Sequence, residues 1–402
     1  MAQTHDVLII GGGLVGASLA LALDRAGVAA TLVDAAPPAA MPAVFDQRNL
    51  SFADATVNAL TALGVMQRLR APAGAIRRIH ASRNGDFGRV LLDAADYGRD
   101  SFGQVVVARD FGAALESRLA ELPRVVRLRP ARFLGFGDLA DGLREVRVGG
   151  GDGERILRAR LVVAADGTDS AVRNALGIAV GRHDYRQRLF VARLRTQRAP
   201  DGIAYERLGD DGPTALLPRG DGAWGLVHGV AEAEADRVAG LADRDFMLRV
   251  QDAFGWRAGR FLEVGERSPY PALRVVAQQT TAQRAVLVGN AAQTLHPIGA
   301  QGFNLGLRDA LTLAELIAGA DDPGADALLE AHAARRHEDR TRTLAFSDGM
   351  ARVTASRVPL MRPLRGLGLA ALDRVPSLQA LLAGGAMGYR GDVPALCRRG
   401  AA

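Results

Sequence analysis

With 402 residues, nearly half of them apolar, the chain has enough material for a large core and two lobes. All 50 basic residues are arginine, which excludes P-loop, Schiff-base and pyridoxal lysine chemistry, and the single cysteine, Cys397, excludes a disulfide framework or a redox-active pair. The net charge of +6 resides wholly in residues 349–402, where eight arginines meet two aspartates, so the balanced remainder predicts no nucleic-acid partner.

No apolar run approaches the roughly 18 residues of a membrane span. The N-terminus enters a strand almost at once, without a basic leader, and this together with the lone cysteine predicts a cytoplasmic protein.

Asp6 to Ile10 reads as a buried parallel strand, followed by Gly11-Gly12-Gly13-Leu14-Val15-Gly16 and an Ala/Leu-rich helix that Gly27 closes. Ala30 to Val33 is a second strand, ending at Asp34. In this βαβ unit, Gly11, Gly13 and Gly16 form a G-x-G-x-x-G turn. Such glycines admit a tight turn and a pyrophosphate close to the backbone, and Asp34 can accept from ribose hydroxyls. The pattern predicts a dinucleotide site and does not by itself choose between FAD and NAD.

Arg48 follows the first unit and suits either a phosphate or a surface ion pair with Asp46 or Asp54. Ile76 to Leu92 alternates about an Asn84-Gly85 turn, a hairpin signal. Arg109 ends the strand Val105 to Arg109 where it enters a helix over Asp110 to Leu122, placed for a phosphate, a flavin edge or a structural ion pair. Leu157 to Ala165 is another buried strand, running into Asp166 and Gly167, with Ser170 as an N-cap and Arg173 a turn later.

Tyr185 to Tyr270 changes to alternating segments, predicting an antiparallel sheet interrupted by a helix over Asp243 to Phe254. Arg284 to Gly289 returns to the first fold. It runs into a Gly289-Asn290 turn, a loop with His296, Pro297, Gly299, Ala300 and Gln301, and a long helix over Gly302 to Ala318 that opens near Phe303. This aims a helix N-terminus, with free N–H groups and partial positive charge, at a negatively charged group. From Asp326 the pattern is helical.

These three motifs, at Gly11–Gly16, Asp166–Arg173 and Gly289–Asp309, together resemble the single-component FAD-dependent aromatic monooxygenases of the para-hydroxybenzoate hydroxylase fold. Val-Gly-Asn-Ala-Ala-Gln-Thr-Leu-His-Pro at 288–297, with Ala253 to Arg257 and Arg267 to Pro271, is most similar to the ubiquinone-biosynthesis branch, the bacterial 2-polyprenyl-6-methoxyphenol hydroxylases. Two positions depart from the wider family. Asn290 replaces the usual aspartate, which keeps a hydrogen-bonding group and removes a charge. Gly299-Ala300 reverses the usual Ala-Gly order, so the loop's φ/ψ angles are where a difference is expected.

The resemblance implies an α/β fold. A Rossmann-like FAD-binding domain occupies 1–75, 98–180 and 276–345; an inserted, mostly antiparallel substrate domain occupies 76–97 and 181–275; a basic helical segment covers 346–402. It implies that NADH or NADPH reduces FAD, that O₂ adds at flavin C4a, and that the hydroperoxide hydroxylates a polyprenyl phenol. The cofactor site would be drawn from Gly11, Gly13, Gly16, Asp34, Arg48, Arg109, Asp166, Gly167, Asn290, Gln301, Gly302 and Phe303, with no metal. Backbone N–H groups at Gly302 and Phe303 would meet the anionic edge of reduced flavin, a donor of that kind being worth ~2.7–4 kcal/mol. His296 and Pro297 would wall the oxygenation site, His296 either moving a proton or simply packing. The phenol needs a base, and Tyr205, Glu206, Arg207 and His228 are all candidates.

Val358 to Leu382 mixes leucines with Arg362, Arg365 and Arg374. It fits either an interfacial membrane segment or a helix packed on the FAD lobe with its arginines outward. Other ubiquinone-biosynthesis proteins are expected partners. A polyprenyl reductase of the same fold and a non-catalytic flavin scaffold are the alternatives.

Overall fold

The structure is a computed structural model that describes residues 4–37, 48–151, 153–356, 358 and 360–400. Asp46, Asp152 and Arg357 lie outside the described residues.

The first strand, Thr4–Ile10, lies in a parallel sheet between Ala30–Val33 and Gly153–Ala164, which Val125–Leu128 and Ala285–Leu287 extend at either side. Its alternation explains the layering. Val7 and Ile9 face a core shared with the helices Leu14–Arg25, Ala108–Leu119 and Gln301–Ile317. Leu8 and Ile10 face a second core, closed by the antiparallel strands Ala131–Ala140 and Leu143–Gly150. The helix Gln301–Ile317 is buried along almost its whole length, and its buried polar residues Asn304, Arg308 and Asp309 are paired inside the protein.

Among the described residues the second sheet has nine strands, with Val180–Thr196, Trp224–Ala231, Gly212–Pro218 and Ile203–Gly209 at its centre. The hairpin Arg78–Arg83/Arg89–Asp93 joins it through a parallel pairing with Ile203–Gly209. The helix Asp243–Phe254 covers its outer face, burying Phe246, Val250 and Phe254 against Phe190, Trp224 and Leu226. At the opposite end of this sheet, Gln293–Thr294 pairs with Val275 and Val276. A third, small sheet of Asn49–Ala53, Gly74–Ile76 and Gly103–Val107 links the lobes.

The C-terminal segment corrects one expectation. Its helix Met361–Arg374 packs on the hairpin of the second sheet rather than on the first lobe: the Leu91 N–H donates to Asp373 at 2.9 Å, and a Cβ at Gly366 would lie 2.6 Å from the Phe87 ring. Arg365 also points inward, donating to Asp86 at 2.8 Å, whereas Arg362 and Arg374 are exposed. Beyond the helix Pro376–Met387 the chain returns to the first lobe, where the Tyr389 hydroxyl donates to Asp54 at 2.8 Å. No helix among the described residues is long and apolar enough to cross a membrane.

Candidate active site

Two helix N-termini converge between the sheets. The helix Leu14–Arg25 starts after Gly13 with no side-chain cap, so its first N–H groups remain available. Gly11, at φ +111°, passes so close to the Asp166 strand end that a Cβ would lie 2.4 Å from the Ala165 carbonyl oxygen. A Cβ at Gly16 would lie 1.9 Å from the Gly11 carbonyl oxygen, and one at Gly12 would lie 2.4 Å from a carboxylate oxygen of Asp34. The acid is therefore folded over the glycine turn, where a ribose would sit, and accepts from the Ala36 N–H at 3.0 Å.

The second N-terminus is that of Gln301–Ile317, also without a side-chain cap. A Cβ on Gly302 would meet no atom within 4 Å, so backbone is presented to open space. Phe303 sends its ring the other way, onto Phe52 and Phe111 with centroids 5.4 Å from each. Gln301 is buried and donates to the Gly299 carbonyl at 3.0 Å. The two helices touch through glycines: a Cβ at Gly306 would lie 2.7 Å from Gly289 Cα, and one at Gly289 would lie 2.9 Å from Val15.

The loop before this helix carries the unusual backbone that its sequence suggests. Gly299 and Ala300 are both left-handed, at φ +69° and +50°. Reversing the Gly-Ala order thus leaves an L-residue at a position where a Cβ costs energy. Asn290 lies inside the short turn Gly289–Ala291; the turn's N-cap residue is Val288 and no side chain caps it, so the amide of Asn290 is exposed rather than used as a cap.

Asp166 is committed locally. It accepts from the Ser170 hydroxyl at 2.5 Å and the Val172 N–H at 3.1 Å, and Ser170 in turn caps Arg173. Gly167, at φ +90°, has open space beside it. Buried Arg173 donates to the Ala291 and Thr168 carbonyls at 3.0 and 2.9 Å, tying the second motif to the third. Arg48 lies between the lobes, its guanidinium 5.2 Å from the Tyr270 ring centroid. Arg109 is exposed on the first turn of Ala108–Leu119, away from ion pairs with described residues.

His296 is 1% exposed, with both ring nitrogens engaged. Nδ1 accepts from the Ile298 N–H at 3.2 Å, so Nε2 carries the proton and donates to Gln187 at 3.0 Å. Its carbonyl accepts from Ser347, and Tyr185 packs edge-on against the ring. Burial pushes its pKa down to about 4, keeping it neutral. Pro297 next to it is partly exposed.

Of the four groups considered for the phenol, three lie on or point to the outer side of the second sheet. His228, 3% exposed, bonds Thr214 at 2.9 Å and packs on Phe246, and burial lowers its pKa to about 3. Tyr205 sits among Trp224, Phe254 and His80. Arg207 donates to Ser82 and Asn84. Glu206 alternates to the inner side and approaches the Gly299 N–H.

Sequence reasoning did not single out Asn304 or Gln187. Asn304 uses its whole amide: it accepts from the Ala53 N–H at 2.9 Å and Thr56 at 2.7 Å, and donates to the Ser51 and Ala300 carbonyls at 2.9 and 2.8 Å. An asparagine on the buried face of an apolar helix was the available signal. Gln187 shows its importance only through its contact with His296.

The uncapped helix ends, the glycine cradle and the acid above it fit a bound FAD. The FAD binding domain family model matches residues 4–347. The chain is 33% identical over 391 residues to ubiquinone hydroxylase UbiL of Rhodospirillum rubrum, covering 96% of this chain and 90% of that one. It is 29% identical over 383 residues to 3-demethoxyubiquinol 3-hydroxylase of Escherichia coli, covering 94% and 97%. The crystal structure of p-nitrophenol 4-monooxygenase PnpA from Pseudomonas putida superposes with a TM-score of 0.80 at 20% identity, covering 97% of this chain and 99% of that one, a likeness of fold. The chain belongs to the FAD binding domain family and is an FAD-dependent monooxygenase.

Proposed function

We propose that this protein is a ubiquinone-biosynthesis hydroxylase that inserts one atom of O₂ into the ring of a polyprenylated methoxyphenol, with NADH or NADPH as reductant. The observation that carries this reading is the uncapped N-terminus at Gln301, set beside a loop that is tied to the second sheet through Gln293–Thr294. The hydroxylase relatives supply the substrate class.

Bound FAD supplies the electron transfer and the oxygen activation. The chain's part is to place and shield. Gly11, Gly13 and Gly16 with Asp34 hold the dinucleotide half, and Asp166, Gly167 and Asn290 line the path towards the ring. The N–H groups of Gly302 and Phe303 stabilise negative charge at the ring edge. His296, neutral and doubly bonded, positions the loop and excludes water rather than moving a proton. The nicotinamide binds transiently, since the second G-x-G-x-x-G string, Gly220 to Gly225, lies in the turn between the antiparallel strands Gly212–Pro218 and Trp224–Ala231 and opens no helix.

The C-terminal helices provide a route to a lipid-borne substrate. Leu360, Leu364 and Leu367 share one face and are 69, 52 and 59% exposed, with Arg362 and Arg374 exposed nearby. An apolar stripe flanked by arginines fits an anionic bilayer surface, making the protein a peripheral partner of the inner membrane face.

The deciding experiment supplies purified holoenzyme with a short-chain methoxyphenol, NAD(P)H and ¹⁸O₂. One labelled oxygen in the product is expected. A reduced prenyl chain without label indicates a reductase instead, and no turnover with partner proteins restored indicates a scaffold.

A further inference from the structure

The second sheet presents a row of side chains to the first lobe. Trp224, Leu226 and Leu216 face the outer core, so Gly225, Val227 and Ala215 face inward by alternation. A Cβ on Gly225 would collide with Asn49 of the linking sheet at 2.3 Å, which fixes this as the side facing the cofactor lobe. Cross-strand pairing then aligns Ala81, Glu206, Ala215, Val227 and Val191 in a single row. Four of the five are small or β-branched apolar residues, leaving room for a flat ring. Glu206 is the one polar group among them.

Glu206 is also unusual electrostatically. The chain has 50 arginines, yet no arginine among the described residues pairs with this carboxylate. Its neighbour is instead the N–H of Gly299, two residues before the helix Gln301–Ile317. A half-buried carboxylate with spare acceptor capacity, beside the loop that walls the reaction centre, is placed to accept a proton from a ligand.

We propose that Glu206 is the general base that takes the phenolic proton as the ring is oxygenated. The inference rests on the aromatic-hydroxylase reading above. The phenol O–H bond breaks, its electron pair stays on oxygen and enriches the ring, and the proton forms a new O–H bond on Glu206. The proton passes to cleft water when product leaves, so the step needs no oxidant beyond that of the monooxygenase reaction. Burial raises the Glu206 carboxyl to about 7, against the opposing pull of the Gly299 N–H. A base titrating near the working pH has its best balance of ionised fraction and basicity.

The test compares wild type, Glu206→Gln and Glu206→Asp holoenzymes. With a methoxyphenol un-ionised at the assay pH, Glu206→Gln should lose about 10²-fold or more in kcat with little change in KM, and Glu206→Asp should recover part of it. With a polyfluorinated methoxyphenol already ionised at that pH, the deficit should shrink towards unity. The wild-type kcat limb near pH 7 should vanish in Glu206→Gln.

A readout independent of turnover is thermal unfolding. A carboxyl raised in the fold costs stability as pH climbs from the unfolded value through about 7, so the melting temperature of Glu206→Gln should gain on wild type from pH 5 to pH 8. Equal kcat in Glu206→Gln, or the same deficit with both phenols, overturns the assignment. Wild-type enzyme that incorporates no ¹⁸O overturns the hydroxylase reading itself, and the proposal with it.

Discussion

Arg308 donates to both carboxylate oxygens of Asp339, at 2.6 and 3.1 Å, and neither side chain is more than 1% exposed. Arg336 bridges the same carboxylate to Asp309 at 2.5 and 2.8 Å, so two acids and two bases balance inside the protein. Burial alone would raise the Asp339 carboxyl, but Arg308 and Arg336 outweigh it and hold it below the usual range. This network fixes Gln301–Ile317 to Asp326–Ala355. Removing one partner strands a buried charge, so Asp339→Ala should cost about 3–5 kcal/mol. Urea unfolding measures this, and flavin retention after gel filtration should fall with it. A midpoint equal to wild type would show the network to be dispensable.

The buried histidines make the fold sensitive to acid. His296 and His228 titrate near 4 and 3, below the unfolded value, because burial disfavours their charged forms. The unfolded chain thus binds more protons than the native one between about pH 6.5 and 4, and stability falls as pH drops through that window. For His296 the full effect is roughly 3 kcal/mol. The melting temperature of His296→Gln should decline less steeply than that of wild type from pH 7 to pH 4.5. Parallel declines would refute this.

Ala300 holds a left-handed backbone at φ +50°. Ala300→Gly removes a steric cost of ~1–2 kcal/mol and adds an entropic one of ~0.5–1, for a net change between neutral and about 1.5 kcal/mol of stabilisation. Gly299→Ala, at φ +69° with the Phe346 ring 3.4 Å from the new Cβ, should destabilise. Differential scanning calorimetry of the two variants distinguishes them by sign.

Membrane docking predicts cosedimentation with vesicles containing anionic lipid. Binding should weaken with salt over the range where the Debye length shortens from about 10 to 3 Å. Replacing Leu364 and Leu367 together by serine should reduce it at least several-fold while leaving turnover of a water-soluble phenol intact. Salt-insensitive binding, or binding indifferent to both leucines, refutes the docking face.

The cofactor half of the molecule was legible because phosphate binding demands glycines at fixed spacing and buried parallel strands demand continuous apolar runs. The tight turn of Gly11 to Gly16, with Asp34 folded over it, needed nothing beyond adjacency in the chain. The helix Asp243–Phe254 was read to the residue from its amphipathic period. The substrate half resisted for a different reason. Whether Glu206 or Tyr205 faces the cleft is a question of sheet register, and register depends on pairing with Ala81 and Ala215, remote in sequence. The inward turn of Arg365 likewise depends on Asp86, some 279 positions away, a separation no local pattern encodes.

The pairing of Gln293–Thr294 with Val275–Val276 has a mechanical consequence. The loop bearing His296 to Ala300 starts as the edge strand of one lobe and ends as the first turn of a helix belonging to the other. A rigid-body turn between the lobes is therefore converted, within seven residues, into torsion about Gly299 and Ala300. The two lobes share this loop, and the positions of His296 and Pro297 depend on both.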